Sequence, residues 1–171
     1  MNDSDDIHVA DSIVIDYFKL TKEYQYKYGE NTIVLLQVGA FFEVYGLCHP
    51  IQHSYEFSPI TAFSEICHLN IADKKITLGN HPTNQDLPPF PLFHPDIPIK
   101  TFTRELHAWI KYIPSCHVVM AGVRDYQLDK YVQKMVDAGY TTVVYIQDKQ
   151  GKEITRKLHE IYSPEIGRSV V

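Results

Sequence analysis

The sequence predicts a mixed α/β fold of the α+β kind, a mixed β-sheet flanked by helices. Three observations predict it. Thr32 to Gln37 is an apolar, β-branched run with no polar alternation, as in a strand covered on both faces. Thr141 to Ile146, Thr-Thr-Val-Val-Tyr-Ile, is a strand by its β-branching. Between Cys116 and Ile146 the pattern runs strand, helix, strand with short links, which builds a sheet with helices packed on it. A length of 171 residues holds one well-buried domain with a decoration and is short for two.

In chain order, residues 1–10 form an acidic flexible tail carrying Asp3, Asp5 and Asp6. An amphipathic helix spans Asp11 to Tyr28, with Ile13, Tyr17, Leu20 and Tyr24 three to four apart, Asp11 or Ser12 able to cap the start, and Gly29 ending it. After the Thr32 strand, Gly39 allows a turn or bulge before a second strand, Phe41 to Tyr45. Pro59 to Leu69 reads as a helix and Lys74 to Leu78 as a short strand. From Gly79 to Lys100, Pro82, Pro88, Pro89, Pro91, Pro95 and Pro98 exclude interior helix and central strand alike. This segment reads as a long surface loop, or as proline-rich material for a partner domain. Phe102, Leu106, Trp109 and Ile113 then fall on one helical stripe, ended by Pro114. Loop and helix together, 79–113, form an insertion in a domain spanning 11–164, and 165–171 are a tail or a linker.

From Cys116 to Ala121 a strand is expected, with Gly122 and Val123 leading to Asp125 as a helix N-cap. Leu128, Val132, Met135 and Val136 mark the helix, and Gly139 stops it. Ile154 to Tyr162 forms a further strand, joined through Lys149-Gln150-Gly151.

The most informative stretch is Val38 to Gly46, where two aromatics and a carboxylate interrupt an apolar run bounded by glycines. In an extended chain Phe41 and Glu43 share one face, while Phe42 and Val44 share the other. A large ring beside an acid on an exposed face suits a wedge for stacked bases, with a hydrogen bond accepted beside it. The same residues also fit a buried strand whose Glu43 pairs with a lysine or a backbone donor.

A formal net charge of -5 argues against strong nonspecific nucleic-acid binding, so such a role needs a local basic face or help from other domains. Lys74-Lys75 and Arg156-Lys157 are phosphate contacts or solvated surface pairs, and Arg124 stands at a strand-helix turn. No apolar run is long enough to cross a bilayer. The acidic first residues do not fit a basic, apolar signal peptide, so an intracellular location is expected and no membrane partner. Cys48, Cys67 and Cys116 are odd in number and unpaired in spacing, as in reduced thiols. Cys48-His49, Cys67-His68 and Cys116-His117 do not read as a metal site, because adjacent strand residues point to opposite faces and no Cys-x-x-Cys spacing occurs. Three scattered thiols are likewise no nucleophilic centre.

With these pieces in order, the chain resembles the N-terminal mismatch-recognition domain of the MutS family of DNA mismatch repair proteins, in a divergent branch. Tyr17-Phe18-Lys19, Lys22 and Tyr24 are similar to the family's opening helix, and Ile33 through Gly46 to its strand followed by Gly-Asp-Phe-Tyr-Glu-Leu-Phe. Met120-Ala121-Gly122-Val123 resembles its Met-Ala-Gly-Val/Ile turn, Val136 to Tyr140 its helix end, and Ile161-Tyr162-Ser163-Pro164 its closing Val-Thr-Pro-Gly. The resemblance covers most of residues 13–164 outside the insertion. By position it implies Phe41 as the ring that stacks on a mispaired base and Glu43 as the acid that hydrogen-bonds it. Around them Gly39, Phe42, Met120, Gly122, Val123 and Arg124 become supporting positions or DNA contacts.

Ala40 and Phe42 depart from the family's aspartate and tyrosine, Gln147-Asp148 from Glu-Gln, and Arg124-Asp125 from a Pro-Tyr/His turn. The resemblance implies double-stranded DNA with mismatches or small loops as the partner. No Gly-x-x-x-x-Gly-Lys-Ser/Thr phosphate loop is present, so this chain is not expected to be an enzyme or to hold a cofactor. In the family, ATP, Mg and dimerisation belong to later domains, which makes the sequence read as the recognition module alone, a fragment or the start of a longer protein.

Overall fold

The structure, a computed structural model, describes residues 9–79, 87–164 and 168–169. Its strands are β1 (Thr32–Val38), β2 (Phe41–Cys48), β3 (Tyr55–Glu56), β4 (Ala72–Leu78), β5 (Cys116–Arg124), β6 (Thr141–Gln150), β7 (Glu153–Ser163) and β8 (Arg168–Ser169). Its helices are α1 (Val9–Tyr28), α2 (Ile60–Cys67), α3 (Ile99–Tyr112) and α4 (Leu128–Asp137). The sheet runs β4-β5-β2-β1-β6-β7-β8, with β3 paired to the far end of β2. It is mixed: β1 lies parallel to β6 and antiparallel to β2.

The unbroken apolar run predicted a strand covered on both faces, and Thr32 through Leu36 are all buried. One cover is α1, whose Tyr17 hydroxyl donates to Val34 O at 2.8 Å and whose ring meets Tyr45 edge-on at 5.2 Å. The other cover is α2 with α4, which supply Ile60, Phe63, Val132, Met135 and Val136 to the core.

Several boundaries differ from the sequence reading. Asp11 and Ser12 do not cap α1, which is already helical at Val9; nothing in Val9-Ala10 breaks a helix. Residues 1–8 of the acidic segment lie outside the described residues, and residues 9–10 belong to α1. Of 165–171, Arg168 and Ser169 pair with β7 as β8, and the others lie outside the described residues. Gly122 and Val123 make no turn, because β5 stays paired with β2 as far as Arg124 opposite Phe41. Asp125 opens a short 3-10 turn instead of capping α4, which starts at Leu128, and its N–H donates to Ala40 O at 2.9 Å.

The insertion is more than a surface loop. Pro82 lies outside the described residues, but Phe90 packs edge-on against Phe57 and Trp109, at 4.8 and 5.2 Å between ring centroids. Trp109 Nε1 donates to Pro88 O at 3.0 Å, and Phe57 continues the aromatic chain to Phe18 of α1 at 5.0 Å. Each ring removes apolar area from water and gains edge-to-face geometry, so the loop closes over α1 and α3 as part of the hydrophobic cluster.

Candidate nucleic-acid interface

The β1–β2 hairpin turns through Gly39 and Ala40, with Val38 opposite Phe41. A two-residue hairpin loop demands positive φ at its first position, and Gly39 supplies φ +61° without a Cβ penalty. Residues of β6 and β7 hold this turn. Gln147 Oε1 accepts from Gly39 N at 2.9 Å, and Gln147 N donates to Gln37 Oε1 at 2.9 Å. Arg156 Nε donates to Gln37 O at 2.7 Å. With Asp125 N on Ala40 O, the backbone of the turn is tied on both sides.

Phe41 stands at the corner of this turn, 37% exposed, in contrast to its buried neighbours Phe42 and Val44. The guanidinium carbon of Arg124, directly across the ladder, lies 4.7 Å from the Phe41 ring centre, within cation–π range. An accessible ring therefore carries a positive charge on its flank in a chain that is negative overall.

Glu43 lies on the same strand face but not on an exposed one: it is only 5% exposed, because α1 covers this side of the sheet at Tyr45. Tyr45 donates its hydroxyl to Glu43 Oε1 at 2.5 Å, and Lys74 Nζ, from β4, reaches the same oxygen at 3.2 Å while passing 5.4 Å from the Tyr45 ring. The lysine partner expected of a buried strand acid is thus present. Burial, and then the bond to Glu43, push the Tyr45 hydroxyl far above the usual phenol range, so it stays a donor. Both donors converge on Oε1. Oε2 takes no hydrogen bond from a described residue.

Of the supporting positions, Gly122 lies opposite Glu43, where a β-carbon would come within 3.2 Å of Phe42 O and 3.5 Å of Glu43 Cγ. Met120 faces the same side opposite Tyr45, partly buried against the core. Phe42 and Val123 pair with each other on the opposite face and are core residues, so they shape the strands and offer no surface to a ligand. The structure therefore brings Phe41, Glu43, Gly122, Met120 and Arg124 together and separates Phe42 and Val123 from them.

Lys74 and Arg156 are held by Glu43 and Gln37 and are not solvated pairs with their neighbours, whereas Lys75 and Lys157 are exposed. The sequence did not reveal the structural roles of Gln37, Tyr45, Gln147 and Arg156 at this site. Only Tyr45, two residues from Glu43 and hence on its face, left a local signal.

The three thiols are free, and burial pushes Cys67 and Cys116 up to about 11, which keeps them un-ionised at neutral pH. Among the described residues no three His, Cys, Asp or Glu side chains are grouped so as to hold a metal ion, and no helix is long and apolar enough to cross a membrane. No family model matches the chain, and no curated protein matches it. The likeness to the mismatch-recognition domain rests on the motifs themselves.

Proposed function

We propose that this chain is a DNA-binding module that recognises mispaired or unpaired bases in duplex DNA, as part of mismatch repair, and catalyses nothing itself. Phe41 enters from the minor groove as the wedge, and Glu43 accepts a hydrogen bond from the displaced base. One observation carries the reading: beside the exposed Phe41 ring and the Arg124 guanidinium, Glu43 is anchored through Oε1 while Oε2 takes no hydrogen bond from a described residue. Unstacking a base step costs a few kcal/mol, and stacking on an aromatic returns about 1–3 kcal/mol. The balance favours a site where a mismatch has already weakened the stack. On matched DNA an acid near the phosphates finds no base donor and opposes binding.

The test is fluorescence anisotropy with matched and singly mismatched duplexes of otherwise identical sequence. Phe41→Ala is expected to abolish the preference for the mismatch while leaving the thermal melt nearly unchanged, since the ring is partly exposed. An unaltered preference in that variant refutes the wedge. The Lys74–Glu43 pair favours a second reading, in which the acid is purely structural and the domain keeps the fold to bind a protein partner. On that reading the wild-type chain shows no preference between the two duplexes.

A further inference from the structure

Along the outer face of α3, Lys100, Arg104, His107 and Lys111 are spaced four, three and four residues apart. At 100° per residue they fall within about 60° of arc and form a line about 16 Å long. Lys100, Arg104 and Lys111 are exposed, and among the described residues no carboxylate pairs with any of them. Lys19 of α1 borders the line, 3.5 Å from Thr103 Oγ1 and 3.2 Å from Asp16. The groups flank a groove of about 740 Å³. In a chain of net charge -5, three unneutralised cations on one helix face single out that face for an anionic partner.

We propose that this line binds the phosphate backbone of duplex DNA, away from the wedge. One strand of a duplex advances about 3.4 Å along the axis per phosphate while winding around it, so a straight line of this length meets only a few successive phosphates. A single phosphate group would call for converging donors, whereas these cations are strung out. Ile99, beside Lys100, shares a cleft of about 490 Å³ with Arg156, which holds the carbonyl of Gln37. The choice of DNA over an acidic protein rests on the mismatch-binding reading, while the backbone contact itself is independent of Phe41.

The experiment measures affinity for matched and mismatched duplexes against salt concentration, for the wild-type chain and for the triple variant Lys100→Gln/Arg104→Gln/Lys111→Gln. A thermal melt checks folding, which exposed positions should not disturb. Three phosphate contacts contribute about 2.7 to the slope of log affinity against log salt, so the variant is expected to lose that much slope. Equivalently, wild-type affinity falls roughly 40-fold more than the variant's between about 50 and about 200 mM salt. Both duplexes weaken alike, and the mismatch preference is retained. An unchanged slope overturns the proposal even where Phe41→Ala abolishes mismatch preference. A slope lost in the triple variant, with no mismatch preference in either protein, supports the backbone contact and refutes the wedge. A poly-glutamate peptide that binds the wild-type chain more tightly than matched DNA at equal salt, and loses this in the variant, makes the partner an acidic protein and overturns the proposal.

Discussion

Lys74→Met is the most informative single substitution for the interior of the site. At 3.2 Å and an effective dielectric near 20, the Lys74–Glu43 attraction is about 5 kcal/mol before desolvation. Removing two ions from water takes back several kcal/mol. The Lys74 side chain is also 25% exposed, against 7% for Glu43, so solvent screens part of the remainder. Methionine keeps an unbranched apolar stem over the Tyr45 ring but leaves Glu43 charged with one donor. The expected loss is about 2 kcal/mol, below the 3–5 of a fully buried pair. For a chain of this size that lowers the melting temperature by roughly 4–8 °C.

Adding Glu43→Gln removes the stranded charge and keeps a carbonyl oxygen for Tyr45. The double variant is therefore expected to be more stable than Lys74→Met alone. Urea unfolding of the wild type, both single variants and the double closes the cycle, with a coupling of about 1–2 kcal/mol. Single effects that simply add, or a Lys74→Met loss below about 0.5 kcal/mol, would refute the claim that this pair is an interior one.

Gln147→Ala removes the acceptor of the Gly39 N–H and should cost about 1 kcal/mol. Hydrogen exchange at Gly39 reads it directly, and unchanged protection there would mean that the clamp is idle. Burial, then Lys19 and Lys111, lower the pKa of His107 from its ordinary 6.5, with Asp16 opposing. The unfolded chain therefore binds this proton more readily, and the stability linked to His107 is intact above about pH 6.5 and declines as the pH falls below it. Melting temperatures taken downward from neutral pH should decline less steeply in His107→Gln, and parallel curves would show that His107 plays no part.

The elements that sequence made legible were those whose residues satisfy a local rule. Ile33 to Leu36 leave no polar face, so a doubly covered strand was the only consistent reading. Gly39 marked a turn or bulge ahead of the second strand, which the structure shows to be a hairpin, and the Phe102, Leu106, Trp109 and Ile113 stripe identified the buried side of α3 together with the residue that follows it. Illegible features depend on partners distant in the chain. Asp125 looks like a helix cap until Ala40 O is found accepting its N–H. Glu43 looks exposed until α1 is laid over Tyr45, and its lysine comes from β4, a strand separated from β2 in the sheet by β5. Two-residue strands such as β3 and β8 exist only because a neighbouring edge was available to pair with.

The parallel pairing of β1 with β6 has a kinetic side. Thr32 meets Thr141 only after the whole of β2 to α4 has been threaded between them. The β1–β2 hairpin needs nothing beyond Cys48 and closes in about 1–10 μs. The free edge of β1, carrying Ile33, Val34, Leu35 and Leu36, waits for a strand near the far end of the chain. Long-range closure of this kind slows folding, and an uncovered apolar edge invites pairing with other chains in the meantime. In a cell, the interval between synthesis of Leu36 and of Tyr145 is therefore when this domain depends most on being shielded from its neighbours.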